Sequence, residues 1–210
     1  MILRLDGREM IKMAKEVSQE KKKLSTGWIV GIVILAVLVL IVISAIGMYN
    51  TLVRSDVNVD NAWGNVQAVY QRRADLIPNL VETVKGAKNF EQQTLTAITE
   101  ARSAWTNAKT PEDQVAAANG MESALSRLMV VVENYPDLKS NQNFLALQDE
   151  LANTENKIAV ERQRYNTAVQ DFNTKARVFP TNIIAGMFGF EKRTFFASAA
   201  GAENVPPVVF

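Results

Sequence analysis

The chain contains no histidine and no cysteine. Those two absences exclude zinc sites built on imidazole or thiolate, cysteine nucleophiles, disulfides, histidine-ligated haem and every Ser-His-Asp arrangement. The di-iron site of helical bundles is excluded too, because it needs a Glu-x-x-His from each of two helices. Lack of cysteine leaves the redox compartment open, since a disulfide-free domain folds on either side of a membrane. A charge excess is also missing. Residues 1–23 carry seven Lys/Arg against four acids, which leaves 16 basic and 18 acidic residues for the remainder. A domain that close to neutral has no electrostatic footprint for nucleic acid, so no nucleic-acid partner is expected.

What the chain does have is one long uncharged run. Residues 27–48, GWIVGIVILAVLVLIVISAIGM, are separated by three residues from the cluster Lys21, Lys22 and Lys23. As a helix the run reaches about 30 Å, the thickness of a bilayer core. Ala45-Ile46-Gly47 is a passable small-x-small cleavage site, but the run is longer than a signal-peptide core. A buried soluble helix would need an equally apolar partner, and the sequence holds no second such segment. The run therefore reads as a single-pass transmembrane helix. The seven basic residues before it, against Arg54 alone among the basic residues of the next twenty, place the N-terminus in the cytoplasm and the rest outside. Met13 would serve equally as a start and keep the lysine cluster.

The 162 residues after Met48 suffice for one domain with a core. Their pattern is helical. Val59, Trp63, Val66 and Tyr70 form one stripe. Arg72-Arg73-Ala74-Asp75 interrupts the rhythm, and Pro78 suits the first turn of a new helix. The second stripe runs Leu80, Val84, Ala87, Glu91, Leu95, Ile98, Ala101, Trp105. Thr110-Pro111-Glu112-Asp113 reads as a capped helix start, followed by Met121, Leu125, Leu128 and Val132. After Tyr135-Pro136-Asp137 a fourth stripe runs Phe144, Leu147, Leu151, Thr154, Ile158, Glu161, Tyr165, Val169, Phe172, Ala176. Thr154 and Glu161 are polar intruders; Glu161 is expected to pair with an arginine such as Arg162 or Arg164 and set register. Short connections between long amphipathic helices predict an all-α, antiparallel four-helix bundle.

The last 32 residues differ in kind and hold six of the nine phenylalanines. Gly186, Gly189, Gly201 and Pro206-Pro207 exclude a long helix there. The domain plan is thus a basic cytoplasmic segment at 1–26, a transmembrane helix at 27–48, a bundle at 49–178 and an aromatic tail at 179–210. The assembly or membrane-interface candidates are Phe179, Ile183, Ile184, Phe188, Phe190, Phe195, Phe196 and Phe210. They have two destinations: a groove on their own or a neighbouring bundle, or the membrane interface with Lys192 and Arg193 facing phosphates. Protein contact is the favoured one, because aromatics broken by glycine suit an interdigitating interface.

The words DLIPNLVETVKG (75–86), ENYPDLKSNQNFLALQDELANTENKIAVERQRYN (133–166), FPTNIIAGMFGF (179–190) and PPVVF (206–210) resemble the LemA family of bacterial membrane proteins. The resemblance implies an extracytoplasmic helical bundle on one membrane helix, with no catalytic residue and no cofactor to carry over. Some relatives belong to specialised membrane compartments, which implies a membrane-organising role.

The leading functional expectation is a non-enzymatic scaffold on the bacterial inner membrane, a homo-oligomer or a holder of other membrane proteins. A cell-wall hydrolase using carboxylates alone would need a pair about 5–9 Å apart in a cleft. Its acids would come from Asp75, Glu82, Glu91, Glu133, Glu150, Glu155 and Glu161, which lie at spacings typical of solvated helix faces. A sensing accessory would have to signal through a partner, since some twenty cytoplasmic residues form no domain.

Overall fold

The structure, a computed structural model, describes residues 8, 10–12, 26–87 and 90–196. Lys21, Lys22, Lys23, Met13, Gly201, Pro206, Pro207 and Phe210 lie outside the described residues. The fold is all-α, and no strand occurs among the described residues. The chain divides into two compact units, Met1–Met48 and Tyr49–Phe210.

In the first unit residues 26–48 are helical, and nearly every apolar side chain points away from protein. This segment opens α1 (Thr26–Lys85), long and apolar enough at its start to cross a membrane.

The second unit is an antiparallel four-helix bundle. Residues 49–85 of α1 run against α5 (Gln142–Arg177), while α2 (Gln92–Asn107) and α3 (Pro111–Val132) form a tight hairpin beside them. The order of cross-bundle contacts fixes the α1–α5 pairing. Ser55 meets Asp171, Trp63 meets Tyr165, and Arg72 meets Glu150. One-turn α4 (Pro136–Lys139) links α3 to α5, and α6 (Thr181–Phe188) follows α5.

The break expected at Arg72–Pro78 does not occur. α1 runs through it, and Pro78 stands inside the helix. The four charged or small residues that read as a break are held by partners. Arg72 pairs with Glu150 at 2.6 Å, and Asp75 accepts from Gln71 one turn back. Arg73 is buried, with only 3% of its side chain exposed, and its guanidinium meets Glu155 and the Leu151 carbonyl. Pro78 lacks the N–H that would bond the carbonyl four residues earlier, at Ala74. Arg102 of α2 fills that gap, its Nε donating to the Ala74 oxygen at 3.0 Å. Tertiary contact thus stabilises a local defect. Leu80 and Val84 consequently belong to α1 and Leu95, Ile98 and Trp105 to α2, because α1 ends at Lys85 rather than at 72–77. Within the second unit, residues 49–85 of α1 match α5 in length, about 55 Å each.

Elsewhere the local signals operate as read. Thr110 accepts from the Asp113 N–H at 3.1 Å with Pro111 at the first position. The α3 stripe of Met121, Leu125, Leu128 and Val132 is buried, as are Phe144, Leu151, Thr154, Ile158, Tyr165, Val169 and Phe172 of α5. Glu161 pairs with Arg164 at 2.6 Å as expected, but one turn along the same helix, so this pair does not set the register between helices.

Candidate functional site

The aromatic tail supplies the most distinctive construction in the second unit. After α6, Gly189 adopts φ 73°, a left-handed conformation that costs glycine nothing. It turns the chain into an extended segment, 190–196, laid along α1 and α5. Asn173 brackets Arg193: its Nδ2 donates to the Arg193 carbonyl and its Oδ1 accepts the Arg193 N–H, both at 2.9 Å. Asn166 does the same for Phe196, at 3.2 and 2.8 Å. Two asparagines seven residues apart on a helix are separated by about 10.5 Å, and three extended residues span about 10 Å. The two periods match, so the helix presents side-chain amides where a neighbouring strand would present its backbone. Between the brackets, Tyr165 donates its hydroxyl to the Thr194 carbonyl at 2.9 Å.

Side chains anchor both ends of this ladder. Arg193 reaches Asp56 at 2.9 Å and Asp60 at 3.2 Å on α1. Phe196 is buried beside Trp63 and Tyr70, ring centroids 6.1 and 6.0 Å away, and lies 4.3 Å under the Arg162 guanidinium. Arg162 in turn bonds Glu122 at 2.9 Å and Asn119 at 3.2 Å, and Glu122 accepts the Tyr70 hydroxyl at 2.5 Å. One aromatic from the tail therefore closes a polar network drawn from α1, α3 and α5. Burial first, and then the Glu122 carboxylate, hold the Tyr70 phenol protonated far above its ordinary range. Burial also raises Tyr165.

The eight candidate residues part company here. Phe196 is buried; Phe190 packs near Tyr49 and Phe172, and Ile184 is half-buried on the core. Phe188 touches Tyr49 at 4.7 Å yet stays exposed, and Phe179, Ile183 and Phe195 are exposed. Phe210 lies outside the described residues. Arg193 faces carboxylates rather than phosphates, whereas Lys192 is exposed. Sequence reasoning missed the asparagine brackets. The signal was the repeated doublet Tyr165-Asn166 and Phe172-Asn173, an aromatic followed by a poor helix former at a seven-residue interval.

The carboxylates of the hydrolase alternative are dispersed. Glu150, Glu155, Glu161 and Glu82 each pair with a basic side chain, and Glu91 accepts from Thr94. A crevice of about 380 Å³ does hold Glu122 and Glu155, with Arg73 beside them. Both acids there are charge-paired, the arrangement of a structural ion network. Among the described residues no three metal-ligating side chains cluster.

Comparison with known proteins matches residues 62–210 to the model of the LemA family. The chain belongs to the LemA family. This LemA-family chain is 31% identical over 141 residues to Protein LemA of Metamycoplasma hominis, an alignment covering 67% of the chain and 64% of that relative. The chain thus spans somewhat under two thirds of that relative's length. It is 24% identical over 232 aligned positions to Magnetosome protein MamQ 2 of Paramagnetospirillum magneticum, covering 96% of the chain and 85% of the relative. A third relative, Magnetosome protein MamQ of Magnetospirillum gryphiswaldense, is 27% identical over 96 residues, 45% of the chain and 35% of the relative. Family membership and the apolar start of α1 together describe a membrane-associated helical protein.

Proposed function

We infer that this LemA-family protein is a non-enzymatic scaffold: one N-terminal helix anchors it in the bacterial inner membrane, and its bundle stands outside the cytoplasm to hold copies of itself or other membrane proteins. The observation that carries the reading is the uncharged run of residues 27–48, preceded by a lysine cluster and followed by a self-contained helical core. The polar groups of that core support it, since their carboxylates are committed to arginines that tie helices together. The magnetosome proteins among the relatives support a role in organising a membrane compartment.

The test is extraction of the full chain from its membrane in mild detergent, followed by mass measurement and identification of co-purifying proteins. The scaffold reading expects particles well above the 23.3 kDa of one chain after the detergent is subtracted. A single copy without partners would overturn it.

A further inference from the structure

The tail does not bury all of its apolar surface. Residues 178–190, VFPTNIIAGMFGF, contain no charge, and their two sides have different fates. Ala185 and Ile184 face the bundle. Ile183 and Met187, one turn apart on α6, point outward with Phe179 just ahead of them and Phe188 at the end. Phe179 is 75% exposed, Met187 73%, Phe188 59% and Ile183 53%. Four large apolar groups on one short helix and its entry form a strip that water solvates poorly.

Its position says what covers it. The Phe188 ring lies 4.7 Å from that of Tyr49, and Tyr49 is joined by one peptide bond to Met48, the last residue of the uncharged run. With that run across the bilayer, Tyr49 is at the headgroup level, and so is the ring packed against it at a tilt of 55°. The stretch is too short to cross a bilayer, which takes about 20 residues, but long enough to lie on one. Cations flank it: Arg177 and Lys192 are exposed and have no ion-pair partner among the described residues. A second copy is the poorer occupant. A stable protein interface buries about 800 Å² per partner with a polar rim, and two helical turns carrying no charge offer neither.

We propose that Phe179, Ile183, Met187 and Phe188 form a lipid-contacting surface that seats α6 in the interface of the same bilayer the anchor crosses, with Arg177 and Lys192 toward the phosphates. The tail then divides its aromatics by task. Phe190 and Phe196 lock it to the bundle, and the α6 strip holds the bundle down on the membrane. The proposal rests on the anchored topology inferred above and adds a second membrane contact.

Because the chain lacks cysteine, single sites can be labelled without background. Met187→Cys, Ile43→Cys in the uncharged run, and Val130→Cys, exposed on α3 two turns beyond Glu122, are each coupled to an environment-sensitive fluorophore. The full-length variants are reconstituted in vesicles of phosphatidylcholine and phosphatidylglycerol. Lipids carrying a spin label near the headgroup and aqueous iodide then compete as quenchers. The expected result is that the probe at position 187 is quenched strongly by the lipid label and little by iodide, with the reverse at 130. Strong iodide quenching at 187, equal to that at 130, would overturn the proposal. Protection from both quenchers at 187 would also overturn it, because protein would then be the cover. A probe at 43 that also escapes the lipid label would instead sink the anchored topology, so the two failures are distinguishable.

Discussion

Pro78 offers the sharpest energetic test, because its helix position and its compensation are both explicit. Proline in a helix interior costs about 3 kcal/mol relative to alanine, through ring clash and the lost hydrogen bond. Here the deprived Ala74 carbonyl already has a partner in Arg102, and a hydrogen bond from a charged donor is worth about 1.5–3 kcal/mol. Pro78→Ala should therefore stabilise by at most about 1.5 kcal/mol, with the rest of the penalty already offset. At about 2–4 °C per kcal/mol for a chain of this size, melting rises by up to roughly 6 °C. Arg102→Met should cost about 2 kcal/mol in the parent, where the carbonyl loses its partner. In the Pro78→Ala background the restored N–H at position 78 takes over, and the same change should cost under about 1 kcal/mol. Urea unfolding of the four proteins, followed by tryptophan emission, gives the coupling directly, with about 1 kcal/mol expected. An Arg102→Met cost that is equal in both backgrounds would refute the compensation. A Pro78→Ala protein less stable than its parent would refute the helix position itself.

Three further outcomes follow from the tail and the core. Phe196→Ala empties an aromatic site whose loss typically costs about 3–5 kcal/mol, but a tail can undock without global unfolding. Limited proteolysis should thus cut near residues 189–196 first and leave the bundle intact, and Asn166→Ala should give a milder version of the same pattern. Burial and Glu122 raise the folded pKa of Tyr70 above its unfolded value near 10, so the stability this group contributes is complete below about pH 10 and declines as pH rises further. Tyr70→Phe should flatten the stability–pH curve above pH 10, measured as urea midpoints, while lowering stability at neutral pH. Arg73→Met keeps the buried volume and leaves Glu155 in contact with solvent, so its cost should stay within about 1 kcal/mol; Arg73→Ala opens a cavity and should cost about 2–4 kcal/mol by the same midpoints.

Much of this architecture was legible in the residues. Stripes at three- and four-residue steps located the buried faces of α3 and α5 almost residue for residue, and Thr110-Pro111 marked a helix start by capping chemistry alone. The misplaced turn has a physical cause. Arg73 reads as solvent-exposed by type, and Pro78 reads as a helix opener by position, yet both are decided by partners far along the chain, Glu155 and Arg102. Such partners leave no local trace. The docked tail was legible only as an excess of phenylalanine. Which rings turn inward depends on the register between Asn166 and Asn173 on α5 and Arg193 and Phe196 on the tail, a matching of two periodicities that appears only when both segments lie side by side.

We infer that one membrane helix carries this bundle to the outer side of the inner membrane. Accessibility of single cysteines to a membrane-impermeant maleimide in intact spheroplasts tests it most directly, using Val130→Cys on the bundle and Ile11→Cys ahead of the uncharged run. With that topology, position 130 should label in intact spheroplasts and position 11 only after the membrane is permeabilised. Labelling at 11 with protection at 130 would contradict it.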